Sequence, residues 1–380
     1  MSAEPDAIDV AVNLLWLAPG RVGGSEEYLV RQLRGVADPG LALTLYAQPA
    51  LAAAHPELVA QHRTVAPAMW RDWRPVRIAA EHSWLSRRTR GADVVHHGGG
   101  TAPARSGPPA VVTVHDLQYL TFPQYFSATR LAYLRSAMPA SMQRASVVTT
   151  PSEYVRGRVI DVFGRDPDSV RVVPHGVPTP TVPTVEQIDA VLEQHGVIRP
   201  YVIYPAITHP HKGHNVLVDL LRASADPDHE LYNLQVVLIG GAGAAEHDLL
   251  AAIAADTAVA ARLIRLGRVP EAERDALLTG AEALVFPSEY EGFGAPLVEA
   301  MALGVPVVAS DHPAIVEVLD GAGIIVDARE GDAWAAAIIT ARACRDELVA
   351  AGTERRAAFT LERSGAALAD AYRRAAGAGS

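Results

Sequence analysis

Short β-branched runs alternate with helical stretches on both sides of a proline-rich segment, and this repeated alternation constrains the chain more than any other feature of its sequence. In the first half, strand candidates at 9–18, 41–46, 93–96, 110–114, 146–150 and 169–173 are interleaved with helix candidates at 26–35, 127–144 and 152–163. The second half repeats the scheme, with strands expected at 201–204, 234–239, 263–266, 283–286, 305–309 and 323–326. Its helices are expected at 214–223, 244–254, 271–279, 295–303, 313–319 and 332–350, and an alanine- and arginine-rich tail at 354–376 reads as a last helix. Strands and helices in this order form βαβ units, and βαβ units build parallel sheets. The stretch Pro174-His-Gly-Val-Pro-Thr-Pro-Thr-Val-Pro183 cannot run as a helix and separates the two series. The predicted class is therefore α/β, with two Rossmann-like doubly wound domains whose ligands belong beyond the carboxyl ends of the strands.

Composition narrows the class of protein. A chain of 380 residues exceeds what one core usually serves, and 49% hydrophobic with 20% charged residues excludes a disordered or coiled-coil chain. The single cysteine, Cys344, excludes an internal disulfide and a cysteine-built zinc site, in keeping with a reducing, cytoplasmic setting. The first residues are polar and no apolar run reaches the roughly 20 residues of a spanning helix, so a soluble or peripheral protein is expected. A net charge of −10 argues against a nucleic-acid partner. That charge is unevenly spread: 18 basic and 15 acidic residues lie up to position 185, and 15 basic and 28 acidic residues beyond it. Of the 33 basic residues only Lys212 is a lysine. It is either a chance survivor of an arginine-biased composition or a site that needs a compact, flexible point charge.

Several loops carry candidate chemistry. After the strand at 283–286, Pro287-Ser-Glu-Tyr-Glu-Gly-Phe-Gly294 leads into a helix opening near Ala295, with Pro296 at an allowed first-turn position. Gly292 and Gly294 let backbone N–H groups approach a ligand, and the helix start adds partial positive charge suited to phosphate. Glu291 lies in the loop and Glu299 in the following helix, so two carboxylates flank that place. Lys212 sits in Tyr204-Pro-Ala-Ile-Thr-His-Pro-His-Lys-Gly-His214, again between a strand and a helix. Nearer the start, Gly23 and Gly24 end a Gly-Arg-Val-Gly-Gly turn, and His115 follows the strand at 110–114. Gly241 lies in the strand-end glycine loop Leu238-Ile-Gly-Gly-Ala-Gly243, and Arg268 and Val269 lie in Arg265-Leu-Gly-Arg-Val-Pro270. The tryptophans and arginines of 70–77 and 84–90 read either as a solvated arginine face with half-buried rings or as a surface for an anionic membrane or an acceptor.

The segment from Glu291 through Glu299 to Ser310 resembles the donor motif of retaining glycosyltransferases of the GT-B fold, the large family of bacterial mannosyl- and glucosyltransferases. The resemblance implies two Rossmann-like domains facing across a cleft: an acceptor-binding domain at 1–180, a nucleotide-sugar-binding domain at 181–355, and a helix at 356–380 packing back on the first domain. It implies that Glu291 contacts the transferred sugar, Glu299 the ribose, and the backbone of Gly292, Phe293 and Gly294 the diphosphate. Lys212 falls where the family places a lysine on the departing diphosphate. The arginine the family places near Ala206 is absent, with His209, His211 and His214 as candidates for its role. Gly23 and Gly24 resemble the family's N-terminal glycine loop, His115 its histidine beside the sugar, Gly241 a donor-side element, and Arg268 and Val269 the segment whose main chain reads the base.

The activity so implied is transfer of a hexose from GDP-mannose or a UDP-sugar to an acceptor hydroxyl with retained anomeric configuration. No metal and no cofactor beyond the nucleotide-sugar co-substrate are expected. The acceptor is a small molecule, a lipid-linked glycan or a polysaccharide, and any peripheral membrane contact would run through the tryptophans and arginines of 70–77 and 84–90. Two alternatives stand beside this reading: an epimerase or phosphorylase on the same fold, and a non-catalytic nucleotide-sugar binding protein.

Overall fold

The computed structural model describes residues 7–20, 23–67, 74–103, 107–326 and 331–377, and the chain divides into two compact units. The first comprises Met1–Pro178 together with Phe359–Ser380, and the second is Thr179–Ala358. In the first, β1 (Ile8–Leu14), β2 (Leu41–Ala47), β3 (Arg63–Val65), β4 (Val94–His97), β5 (Ala110–Thr113), β6 (Ala145–Thr150) and β7 (Val170–Val172) form one parallel sheet in the order β3-β2-β1-β4-β5-β6-β7. In the second, β8 (Tyr201–Pro205), β9 (Gln235–Ile239), β10 (Leu263–Gly267), β11 (Ala283–Phe286), β12 (Val307–Ser310) and β13 (Ile324–Val326) pair in the order β10-β9-β8-β11-β12-β13. Both are doubly wound α/β sheets whose order reverses beside the first strand, between β1 and β4 and between β8 and β11. Such a reversal opens a crevice at the carboxyl ends of its two strands, where ligands of open α/β sheets bind.

Both sheets are covered on two faces, which is why most of their strand residues are buried, and the strands of the second read as near-continuous apolar runs. The last helix, Leu361–Ala375, belongs to the first unit: Leu368, Ala371 and Tyr372 join Leu29, Leu33 and Val36 in one core cluster. It lies so close to the helix Gly24–Gly35 that a Cβ on Gly35 would overlap the Leu361 carbonyl, and one on Gly365 would overlap the Gly35 backbone.

Three expected elements differ. The strand expected at 9–18 stops at Leu14, where the Asn13 side chain accepts the Leu15 N–H and Leu17 N–H turns back to the Leu14 carbonyl. The helix expected at 332–350 is two, Gly331–Ala343 and Arg345–Arg355, broken at Cys344; the guanidiniums on either side reach Glu282, Arg342 to its carboxylate at 2.8 Å and Arg345 to its carbonyl at 2.8 Å. The tail expected to run from 354 is interrupted by buried Phe359 and restarted by Thr360, whose hydroxyl accepts the Arg363 N–H. Helix propensity yields there to burial and capping. The helix Val185–His195, absent from the expected set, starts on a capping box built by Thr184 and Gln187.

Candidate functional site

In the second unit, the loops that leave the two reversal strands hold the candidate residues. After β8 the chain makes a turn at Pro210–Lys212, and Gly213, at φ 66°, starts the helix His214–Ala223. After β11, the loop carrying Glu291 ends at Gly294, whose φ of 99° favours glycine and which starts the helix Ala295–Ala302. The two loops bring Lys212 Nζ to 2.6 Å from Glu291 Oε1, with the side chains only 19% and 11% exposed. This is a charge-assisted bond largely shielded from solvent screening.

The backbone holds the pair in place. A Cβ on Gly213 would overlap the Pro287 carbonyl, so the two loops touch main chain to main chain. The Glu289 N–H donates to the His211 carbonyl at 2.8 Å. Beneath them, the fully buried Tyr204 hydroxyl lies 2.9 Å from both the Lys212 carbonyl and Ser288 Oγ. Since a carbonyl only accepts, the tyrosine proton goes to Lys212 and Ser288 donates to Tyr204. Burial, reinforced by the Glu291 carboxylate, raises the phenol well above its ordinary value, so it stays a donor. The Ser310 hydroxyl in turn donates to the Ser288 carbonyl.

Around this centre the other candidates fall into two groups. The glycine loop after β9 packs on the first loop: a Cβ on Gly240 would overlap the Ala206 carbonyl, and the Gly243 N–H donates to Thr208 Oγ1 at 2.7 Å. Gly241 faces the Arg268 guanidinium, Arg268 is exposed, and Val269 is half-buried beside it. Phe293 buries its side chain, which leaves only its backbone to a ligand. Glu299 faces Arg274, which burial would discharge but which the Glu299 and Asp275 carboxylates keep firmly charged. Burial and the Lys212 charge lower His211 to about 3, and burial, with Arg265 and Lys212, lowers His214 to about 4. Both rings are uncharged at neutral pH.

In the first unit, Gly23 has φ 62° and ψ −140°, a backbone suited to glycine, and Gly24 opens the helix Gly24–Gly35 with nothing crowding its Cα. Arg21 and Val22 of this turn lie outside the described residues. His115 follows β5 and bonds through Nε2 to the Gly98 carbonyl at 2.8 Å. The carbonyl fixes the proton on Nε2 and leaves Nδ1 as an acceptor in the neutral ring. Burial lowers the His115 pKa against the opposing pull of that carbonyl and of Asp116. Trp16, after β1, and Tyr28 pack on the ring at 5.7 and 5.3 Å. Trp70, Arg71, Asp72 and Trp73 also lie outside the described residues. Trp84 turns inward, its ring 5.8 Å from that of Tyr46 and capped by Arg88 at 6.0 Å, and so reads as the edge of a core.

Tyr204, Ser288, Gly213 and Trp16 are absent from the residues singled out in the sequence. Tyr204 and Ser288 are 84 positions apart, and only the pairing of β8 with β11 makes them neighbours. Gly213, next to Lys212, is the one with a local signal, because a glycine between a loop and a helix asks for a positive φ.

Among the described residues, no three His, Cys, Asp or Glu side chains gather to hold a metal ion, and no helix is long and apolar enough to cross a membrane. Two doubly wound parallel sheets, one with a lysine–carboxylate pair at its reversal point, define a two-domain α/β architecture. Residues 193–357 match the family model of the glycosyl transferases group 1, and residues 22–180 that of glycosyltransferase family 4. The chain belongs to the glycosyltransferases of the GT-B fold. It is similar to the O-antigen chain mannosyltransferase B of Escherichia coli, 28% identical over 65% of each chain. It is also similar to the GDP-mannose-dependent alpha-(1-6)-phosphatidylinositol monomannoside mannosyltransferase of Mycolicibacterium smegmatis, 30% identical over 55% of this chain and 56% of that one. In both cases the match spans less than two thirds of the relative's own length. Its fold is that of Anabaena HepE, crystallised with UDP and glucose, at a TM-score of 0.73 with 19% identity over 95% of this chain and 98% of that one.

Proposed function

We propose that the chain transfers a hexose from a nucleoside-diphosphate sugar to an acceptor hydroxyl, with retention of anomeric configuration and without a divalent metal. The observation that carries this reading is the Lys212–Glu291 pair at the β8/β11 reversal, beside a helix that starts on Gly294. There Lys212 and the positive end of the helix face the negative charge that grows on the departing diphosphate, an electrostatic stabilisation of the transition state. Glu291 accepts hydroxyl hydrogen bonds from the transferred sugar and Glu299 from the ribose, while the backbone of Gly292, Phe293 and Gly294 follows the diphosphate. Gly241, Arg268 and Val269 border the nucleotide. No matched side chain is a strong base, which suits a mechanism in which the leaving diphosphate collects the acceptor proton. The acceptor is assigned to the first unit, with Gly23 and Gly24 at its glycine turn and His115 offering Nδ1 to a hydroxyl. The names of the two relatives favour GDP-mannose as the first donor to try, and the ligand of the Anabaena protein makes UDP-glucose the second. We place the protein in the cytoplasm.

The test is thermal unfolding of the purified protein with GDP, GDP-mannose, UDP and UDP-glucose, each with magnesium and with chelator. A ligand bound only by the folded state raises the melting temperature by mass action. One nucleotide family should do so equally with and without chelator. A shift that vanishes with chelator removes the metal-independent mechanism, and no shift with any of the four removes the donor site.

A further inference from the structure

Lys212 is the only lysine among 33 basic residues, and a carboxylate already holds it. At 2.6 Å, with 19% and 11% of the two side chains exposed, Lys212 and Glu291 neutralise each other away from bulk water. Glu291 has no other ion-pair partner among the described residues. The hydroxyl closest in chemistry, that of Tyr204, gives its proton to the Lys212 carbonyl. The His312 ring nearby is kept from charging by burial, which outweighs the Glu291 carboxylate. The single charge of Lys212 is thus already balanced by Glu291, and a diphosphate that draws on it competes with that carboxylate even though the ammonium has three N–H donors. Winning that competition leaves a half-buried carboxylate beside a new anion, an arrangement that costs free energy unless hydrogen-bond donors replace the ammonium.

We infer that Glu291 is a gate on the diphosphate site: it competes with the diphosphate for Lys212, and the hydroxyls of an attached sugar satisfy it when the diphosphate wins. This rests on the nucleotide-sugar reading of the site. A nucleoside diphosphate that carries its sugar satisfies both partners of the pair. A bare nucleoside diphosphate satisfies Lys212 alone and strands Glu291. The intact donor is thus selected over the product, and once the sugar has left, the pair re-forms and drives the diphosphate out. No covalent step is involved, only an exchange of ion-pair partners. Gly213 and Tyr204 fix the backbone of both loops, so the exchange takes place in the side chains.

The test is isothermal titration of wild type, Glu291→Gln and Lys212→Met with GDP, GDP-mannose, UDP and UDP-glucose. Glu291→Gln keeps the shape of the side chain and removes the competing charge. It should bind the bare diphosphate about five- to tenfold more tightly than wild type, the worth of one shielded ion pair, and lose the preference for the sugar conjugate. Lys212→Met should weaken the bare diphosphate and its sugar conjugate together. Equal or weaker binding of the bare diphosphate by Glu291→Gln overturns the gate while leaving the donor site intact. Wild type that binds none of the four ligands overturns the donor site itself. A second readout serves if the variant folds poorly. Reductive methylation with 13C-formaldehyde labels only the Lys212 side chain and the terminal amine, so the Lys212 methyl signal reports its partner. That signal should move on adding the bare diphosphate to wild type, towards its position in Glu291→Ala. A Lys212 signal that is the same in free wild type and free Glu291→Ala means that no pair exists to be opened, and the gate falls.

Discussion

The two sheets share one strand order around their reversal, yet polar side chains run through the middle of only the first. In the second unit the central strands read Tyr-Val-Ile-Tyr, Val-Val-Leu-Ile, Ala-Leu-Val-Phe and Val-Val-Ala, all buried, and the charged chemistry begins only where the strands end. In the first unit Asn13, His96, His97, Thr113 and Thr149 are buried within β1, β4, β5 and β6. Each is partnered: His96 bonds to Thr113 at 2.7 Å, Thr113 to Thr149 at 2.7 Å, and Asn13 donates towards His97 at 3.3 Å and Glu81 at 3.4 Å. The other nitrogen of His96 meets the Tyr372 hydroxyl at 2.8 Å, and Tyr372 comes from the last helix. A buried polar group must be paired, so the first unit needs its final helix to complete its polar network as well as its core. One topology thus serves two ends. In the second unit an apolar sheet supports polar loops, and in the first a polar sheet ties distant parts of the chain together.

If that contrast is right, removing the loop charges should abolish function while the sheet stays folded. Lys212→Ala should lower the transfer rate by about 10²- to 10³-fold, the scale of losing one preorganised charge at a developing anion. Its melting temperature should fall by no more than the loss of the Lys212–Glu291 pair explains, with the cooperative unfolding transition kept. His115→Ala removes the proposed hydroxyl contact, together with the Gly98 bond and the packing on Trp16 and Tyr28, and should cost about tenfold in rate, the scale of one neutral hydrogen bond, with some loss of stability. Near-wild-type turnover for Lys212→Ala would break the assignment of roles between the units, and is read in the same assay with the donor identified by thermal shift.

Glycine contacts test the other side of the comparison. Gly365→Val forces a side chain into the Gly35 backbone, where nothing flexible can yield, and should cost about 4 kcal/mol or more and leave the first unit unfolded. Gly213→Ala meets the Pro287 carbonyl at a φ of 66° and should strain one loop of the second unit, with a loss of about 1 to 3 kcal/mol and weaker donor binding. Urea unfolding followed by circular dichroism measures both. A Gly365→Val protein that unfolds like wild type would show that the last helix is dispensable to the first unit.

Much of this architecture is legible along the chain because a buried parallel strand and an amphipathic helix announce themselves within about ten residues. The Lys212 loop and the Glu291–Glu299 segment are legible for the same reason, since each joins one strand to one helix. What escapes the sequence is whatever depends on a distant partner. Nothing near Tyr204 says that its hydroxyl will bridge Lys212 and Ser288, and nothing near His96 says that Tyr372, 276 positions later, will bond to it. The breaks at Cys344 and Thr360 escaped for a related reason: alanine and arginine favour helix on both sides, while Glu282 and buried Phe359 decide where it stops.

The smallest expected effect is one of pH, and it separates the two units by where their histidines lie. Burial lowers His96 to about 3 and His97 to about 4, against an ordinary value of 6.5. The unfolded chain therefore binds protons that the folded unit refuses, and stability is complete above pH 6.5 and falls as the pH drops towards 4. At pH 5.5 each such histidine costs roughly 1 to 2 kcal/mol. Glu81, raised by burial, works the other way and takes up a proton more readily when folded, which offsets part of the loss. His211 and His214 are lowered to about 3 and 4 as well, but they sit in and beside a loop, where a ring can be charged by a local shift. His96 and His97 sit in β4, where protonation requires the sheet to open. Acid should therefore loosen the first unit before the second. Trp334, buried in the second unit, provides the readout that distinguishes them. Between pH 6.5 and 4.5, the tryptophan fluorescence of a Trp334→Phe protein should change at a higher pH than that of a protein retaining Trp334 as its only tryptophan. Coincident transitions would mean that the polar sheet of the first unit is no more sensitive to acid than the apolar sheet of the second.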